Sequence, residues 1–221
     1  MSMKRKLLTL LLFAAIILGC DKPKELGEFL LGDYKEYNPF NGSEILVYRH
    51  SVNDSIFRFY GGGRYSEIYH TVPTNNPTTN YWVNECNYSS FSTQDGRFSL
   101  TINMATHLST SVEMYLRYKE QVRPETFYGI GPTYYLPLSI EVFNHPSPYQ
   151  DKFYLDSIQV FDRNYKEVFA DSALFGGFSY AQRHLTPNIR PTTFFYTVKE
   201  GIIKIDFNDD SYWGLTEIIS P

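Results

Sequence analysis

Side chains that ligate metals, transfer protons or attack carbon are the first place to look for chemistry. Here they are sparse and scattered. His50, His70, His107, His145 and His184 stand far apart, with no HxH, HExxH or Cys-paired spacing to bring two ligands together on one element. They read as isolated surface or cushioned histidines, with a zinc site assembled from distant loops left open. No G-x-S-x-G elbow and no S-x-x-K pair occurs, so nucleophilic hydrolysis has no motif behind it. Gly61-Gly62-Gly63-Arg64 would offer backbone N–H groups to an anion, yet no Lys-Ser/Thr and no helix complete a phosphate loop, and a flexible hairpin connection is expected there. Asp206, Asn208, Asp210, Tyr212, Gly214 and Glu217 fall on the ligand positions of a calcium loop. Ser211 stands where that loop needs Gly, and a polar hairpin turn is the expected reading. No metal and no cofactor are expected.

Aromatic residues offer a different chemistry, because the faces of their rings can stack on sugar rings or line an apolar pocket. The chain carries 19 Tyr, 17 Phe and 2 Trp among 221 residues, with Trp82, Trp213 and the pair Tyr134-Tyr135 as the candidate stacking residues. Most of so many rings must be core and cross-strand pairs, so the composition permits a sugar or lipid site without requiring one. The formal charge of −4, with Lys4-Arg5-Lys6 as the basic run, argues against nucleic acid as a partner.

At the N-terminus Lys4, Arg5 and Lys6 precede an apolar run from Leu7 to Leu18, broken by Thr9. Such a run is too short to span a bilayer and fits a signal peptide over 1–19. Ile17-Leu18-Gly19-Cys20 resembles the lipobox of bacterial lipoproteins. The resemblance implies that the Cys20 thiol is alkylated with diacylglycerol and the chain cut before it, with several acyl chains giving durable attachment where one would be marginal. Residues 20–25 are then a lipidated tether. That use of Cys20 leaves Cys86 without a disulfide partner, and Cys86 reads as a small packed hydrophobe.

The elements that would position any site are strands. Phe98, Leu100, Ile102 and Met104 alternate with polar residues, as do Val112, Met114, Leu116 and Tyr118, which predicts two neighbouring half-buried strands. Further strands are expected at 44–50, 55–60, 64–70, 81–88, 136–143, 153–161, 165–170, 193–199, 201–207 and 212–219. Asp95-Gly96 and Glu200-Gly201 carry the chemistry of tight hairpins. Pro-rich loops are expected at 124–137, 144–151 and 185–192, the middle one able to separate two sheets. The fold class is all-β: an antiparallel sandwich or lipocalin-like barrel of about a dozen short strands, in one domain over 26–221.

Tyr37-Asn38-Pro39-Phe40-Asn41-Gly42 with the strand that follows, and Phe195 to Ile205 with Trp213-Gly214-Leu215, are similar to the opening strand and closing hairpin of small Bacteroidota-type envelope lipoproteins. That group carries no assigned activity, so the resemblance implies topology and compartment. In lipoproteins of that lineage an Asp-Ser/Thr-aliphatic motif is O-glycosylated. Asp54-Ser55-Ile56, Asp156-Ser157-Ile158 and Asp171-Ser172-Ala173 match it, which makes Ser55, Ser157 and Ser172 candidates, although Asp-Ser also simply starts turns.

The function expected from all this is a lipid-anchored envelope lipoprotein that binds a glycan or lipid without catalysis. Its partner through the lipid is the membrane, with the outer membrane as address and its face left open. Asp21 would signal inner-membrane retention under the enteric rule, which is not expected to transfer to this lineage. The alternatives are a structural or assembly partner of an envelope protein complex, and a hydrolase built from two carboxylates on separate strands.

Overall fold

A computed structural model describes residues 22–73, 80–107, 111–120, 133–139, 154–172, 174–175 and 189–221. Cys20 and the apolar leader lie outside the described residues, as do 124–132, 144–151 and 185–188 of the expected Pro-rich loops. The elements in chain order are β1 (Glu25–Phe29), a 3-10 helix (Gly32–Tyr37), β2 (Ile45–His50), β3 (Ile56–Thr71), β4 (Tyr81–Thr93), β5 (Phe98–His107), β6 (Ser111–Glu120), β7 (Thr133–Ser139), β8 (Tyr154–Val160), β9 (Arg163–Ser172), β10 (Leu174–Phe175), β11 (Pro191–Thr197), β12 (Gly201–Phe207) and β13 (Tyr212–Ile219).

All thirteen strands belong to one sheet, in the order β10-β7-β6-β5-β4-β3-β2-β13-β12-β11-β9-β8, with β1 paired to β4. The sheet curls into a half-barrel. The strands are joined in one continuous sheet, because β9 pairs with β11 and carries β8 into it, and the expected all-β architecture stands. The pairings along this path are antiparallel, and closing β13 against β2 joins the two ends of the chain. The β1–β4 pair is parallel. β1 occupies the stretch of β4 that β5 leaves open: β5 pairs from Ser92 down to Cys86, and β1 continues from Asn84 to Tyr81. The Thr106 hydroxyl ties the two strand ends together by donating to the Phe29 carbonyl at 2.7 Å.

The alternation read from β5 places Phe98, Leu100, Ile102 and Met104 in the core, with Leu116 and Tyr118 of β6 beside them. Around Trp213 the core is aromatic. Phe57, Phe98, Phe207, Tyr118 and Phe59 surround its ring at centroid distances of 4.3, 5.0, 5.2, 5.7 and 5.9 Å. Such offset and edge contacts add about 0.5–1.5 kcal/mol per pair beyond burial alone. Tyr48 and Tyr196 are fully buried, and each phenol finds a backbone carbonyl, Ile202 at 2.5 Å for Tyr48 and Tyr37 for Tyr196.

Two glycine expectations resolve differently. Gly96, at φ +67°, makes the turn between β4 and β5 as expected. Gly61-Gly62-Gly63 is not a hairpin connection: it lies inside the sixteen-residue β3, where the pairing with β4 shifts register between Gly61 and Arg64. The glycines are there because another backbone crosses. A Cβ on Gly42 would sit 2.1 Å from the Gly63 carbonyl carbon, and one on Gly61 would sit 2.2 Å from the Gly42 oxygen. Gly61 N–H donates to the Glu44 carbonyl and Gly63 N–H to that of Gly42, so neither is left for an anion. Residues 133–137 of the expected loop are strand β7, with Pro137 opposite Tyr115.

Candidate functional site

A cleft of about 600 Å³ lies between the β8–β9 hairpin and the turn from β11 to β12. Its volume falls in the range of small-ligand sites, about 300–1,000 Å³. Arg163 fixes the two sides relative to each other. Its guanidinium pairs with the Glu200 carboxylate at 3.1 Å, reaches the Thr216 carbonyl at 3.4 Å and covers the Tyr165 ring at 4.9 Å. Tyr165 in turn donates to the Leu215 carbonyl at 2.8 Å. The turn is locked internally, since Thr197 accepts from the Glu200 N–H at 3.0 Å and donates to its carboxylate at 3.3 Å. The end of the hairpin doubles back onto β13, where Val160 and Phe161 close over Gly214: a Cβ there would meet both at 2.5 Å.

The cleft wall is aromatic. Tyr37 closes the 3-10 helix, with its ring 6.1 Å from Tyr34, and Tyr154 stands edge-on to Phe169 at 5.5 Å. Polar groups ring these faces: Asn164, Lys166, Glu167 and Lys199 are exposed around the opening. Glu167 holds φ at +55° inside a strand, a left-handed conformation rare for a side chain of its size and one that recurs at ligand sites. Burial pushes the Tyr165 phenol up to about 12, and the Glu200 charge acts in the same direction. Burial also raises the Tyr154 phenol, helped by Glu167 and Asp156. Both therefore present neutral hydroxyls at neutral pH. Glu200 is committed to Arg163 and Thr197. Together the wall offers flat apolar rings with donors and acceptors around them, which suits a ligand having an apolar face and several hydroxyls.

A second cavity, about 210 Å³, opens beside the aromatic core and is lined by His50, Phe57, Phe98, Tyr118, Phe207 and Trp213 among others. It falls below the range of small-molecule sites. Arg97 bounds it, paired with Glu120 at 2.9 Å and lying over Phe98 at 4.7 Å.

Of the stacking residues expected from sequence, Trp82 and Trp213 have described side chains. Trp213 is only 4% exposed and its ring is boxed by neighbouring rings, so it serves the core. Trp82 is half-buried at the start of β4, leaning over Gly27, where a Cβ would meet its ring at 2.8 Å. Tyr134 and Tyr135 lie on β7 opposite Tyr118 and Arg117, and their side chains are outside the described residues. Ser55, Ser157 and Ser172 are all exposed. Cys86 is half-buried with its thiol pushed up, first by burial and then by Glu67, so it is a weak nucleophile.

The cleft residues themselves escaped the sequence reading. Tyr37 lies within the stretch quoted for the lipoprotein resemblance, and Tyr154 and Tyr165 lay in strands read for their alternation. The signal that could have found them is the local density of tyrosines and charges at 154–167.

In the calcium-loop stretch, Asp206 pairs with Lys204 at 2.8 Å and Asp209 accepts from Ser211 at 2.6 Å. The segment forms the β12–β13 turn. Among the described residues no three His, Cys, Asp or Glu gather where a metal could sit, and no helix is long and apolar enough to cross a membrane. No family model, curated protein or solved structure matches this chain.

Proposed function

We propose that the chain is a lipoprotein of a Gram-negative cell envelope, anchored through lipid on Cys20 at the outer membrane, whose folded part binds a glycan without turning it over. The observation that supports glycan over lipid is the cleft walled by Tyr37, Tyr154 and Phe169 and ringed by Asn164, Lys166, Glu167 and Lys199. A lipid tail would want a deep, dry pocket. A sugar ring wants an aromatic face with donors and acceptors at its edge.

The anchor is tested by palmitate labelling of the wild type beside Cys20→Ser, with loss of label and of membrane fractionation expected in the variant. The glycan reading is tested by calorimetry of soluble oligosaccharides of four to six sugars against the wild type and Tyr154→Ala. Loss of one stacking face is expected to weaken binding about tenfold, equivalent to about 1.4 kcal/mol. Equal binding by Tyr154→Ala, or no binding across the panel, would remove the cleft as a glycan site. Release of new reducing ends would instead make the protein a hydrolase.

A further inference from the structure

The end of the sheet nearest the anchor carries a surface of its own. The chain is pinned at Lys24, whose N–H donates to the Asn80 side chain at 2.9 Å and whose carbonyl accepts from the Tyr81 N–H at 3.1 Å. Between Cys20 and that point lie three residues, and the four steps from one to the other reach about 14 Å when fully extended. A folded part of this size is about 40 Å across. The tether therefore spans only about a third of that width and holds one end of the sheet at the headgroups.

That end is where exposed aliphatic side chains gather. Leu26, Leu30, Ile68 and Val72 are 42%, 44%, 53% and 48% exposed. Register places them on or just past β1 and β3, the two strands that flank β4. Leu26 lies between the rows of Tyr81 and Trp82, Val72 just past that of Trp82, Leu30 just past that of Asn84, and Ile68 opposite Glu85. The aromatic residues beside them are of the kind that settles at a membrane interface. Tyr81 stacks on His70 at 4.4 Å, and Trp82 is half-buried over Gly27. The flanking charges Lys22, Lys24, Glu25 and Glu28 carry both signs, so attraction to an anionic leaflet does not account for the surface.

We propose that this end, formed by β1, the close of β3 and the start of β4, rests on the bilayer with Leu26, Leu30, Ile68 and Val72 meeting lipid. The proposal rests on the reading of Cys20 as the anchor. It fixes the orientation of the protein: β1 lies at the membrane, and the sheet rises from it.

Trp82 provides the test. The full-length lipidated protein is placed in phosphatidylcholine vesicles with and without brominated acyl chains, and palmitate label is measured on the same preparation. The wild type is expected to lose part of its tryptophan emission to bromine. Trp82→Phe, which leaves only Trp213, is expected to lose none. The pair Ile68→Asp and Val72→Asp is expected to keep the label and cut the quenching by more than half. A labelled wild type whose emission bromine leaves unchanged would overturn the docking and leave the anchor standing. Unaltered quenching in the Asp pair would overturn the assigned surface. A wild type without label removes the anchor, and the docking falls with it. A dimer in detergent with unquenched Trp82 would assign the patch to a second copy, which also overturns the proposal.

Discussion

Arg64→Met keeps the length of the side chain and removes its charge, at a position where one guanidinium holds the N-terminal segment onto the sheet. Nε donates to the Asn87 side chain at 2.9 Å, one terminal nitrogen to the Phe40 and Asn38 carbonyls at 3.0 and 3.3 Å, and the other to the Lys35 carbonyl at 2.7 Å. Lys35 lies in the last turn of the 3-10 helix and Asn38 caps it, so Arg64 adds a second donor to the Lys35 carbonyl, which already accepts from the Asn38 N–H, and reaches the carbonyls just past the helix end. A hydrogen bond with a charged partner is worth about 1.5–3 kcal/mol when water is kept away. Arg64 is half-buried, and water can replace some of its bonds, so the four together are expected to be worth about 3 kcal/mol rather than their sum. In a domain of this size that corresponds to a fall in Tm of about 6–12 °C.

Denaturant melts of wild type, Arg64→Met and Arg64→Lys measure the loss. Lysine is expected to restore less than half, because a point charge cannot serve acceptors set in a fork. Amide exchange adds a local check: protection is expected to fall first at Tyr34 and Asn38, whose N–H groups close the 3-10 turns. Stability of Arg64→Met within about 0.5 kcal/mol of wild type, or full rescue by lysine, would refute the clamp.

Two further outcomes follow from the same coordinates. Gly42→Ala is expected to leave no soluble folded protein, since the new Cβ would lie 2.1 Å from the Gly63 backbone at φ +90°, and the two crossing segments cannot part without breaking the bond from the Gly63 N–H to the Gly42 carbonyl; a Tm within a few degrees of wild type would refute the close crossing. The pH dependence is alkaline: burial raises the phenols of Tyr48 and Tyr196 above the usual range and that of Tyr165 to about 12. Unfolded tyrosines ionise near 10, so the contribution of these three phenols is constant below that pH and falls above it by about 1.4 kcal/mol per unit for each group, about 4 for the three, until Tyr165 titrates in the folded state. Melts between pH 8 and 12 with tyrosinate absorbance followed in parallel check this, and ionisation of every tyrosine near pH 10 with the fold intact would contradict it.

Strands were legible where one face is buried and the other wet. β5 shows this in Phe98, Leu100, Ile102 and Met104, because period-two burial writes itself into residue type. β3 was split in two because Gly61-Gly62-Gly63 reads as a turn by every local rule. What overrides the rule is Gly42, some twenty residues earlier, passing too close for any Cβ. β1 is not legible as a strand, since Glu25-Leu26-Gly27-Glu28 has no alternation to show and Glu25 reads as the end of a tether. It is a strand because β4 offers it an unpaired edge beyond the end of β5, and that vacancy exists only after the rest of the sheet has formed. The cleft was illegible for a similar reason: Tyr37, Tyr154 and Thr197 come from three distant segments, and the crossing of Arg163 to Glu200 that joins two of them is thirty-seven residues long.

The N-terminal segment that carries β1 also builds the cleft. β1 is fixed to β4 by pairing and to β5 by Thr106. Leu31 N–H then donates to the Glu85 carboxylate at 3.1 Å, while Lys35 pairs with the other oxygen of that carboxylate at 2.6 Å. One buried carboxylate thus holds both ends of the 3-10 helix, and the helix ends in Tyr37, whose ring faces the cleft and whose carbonyl accepts from Tyr196. Force applied at the tether reaches Tyr37 only after passing four β1 pairings, the Glu85 pair and the Arg64 bonds. The position of Tyr37 is set by the sheet. The cleft keeps its shape whether or not the N-terminus is held at a membrane.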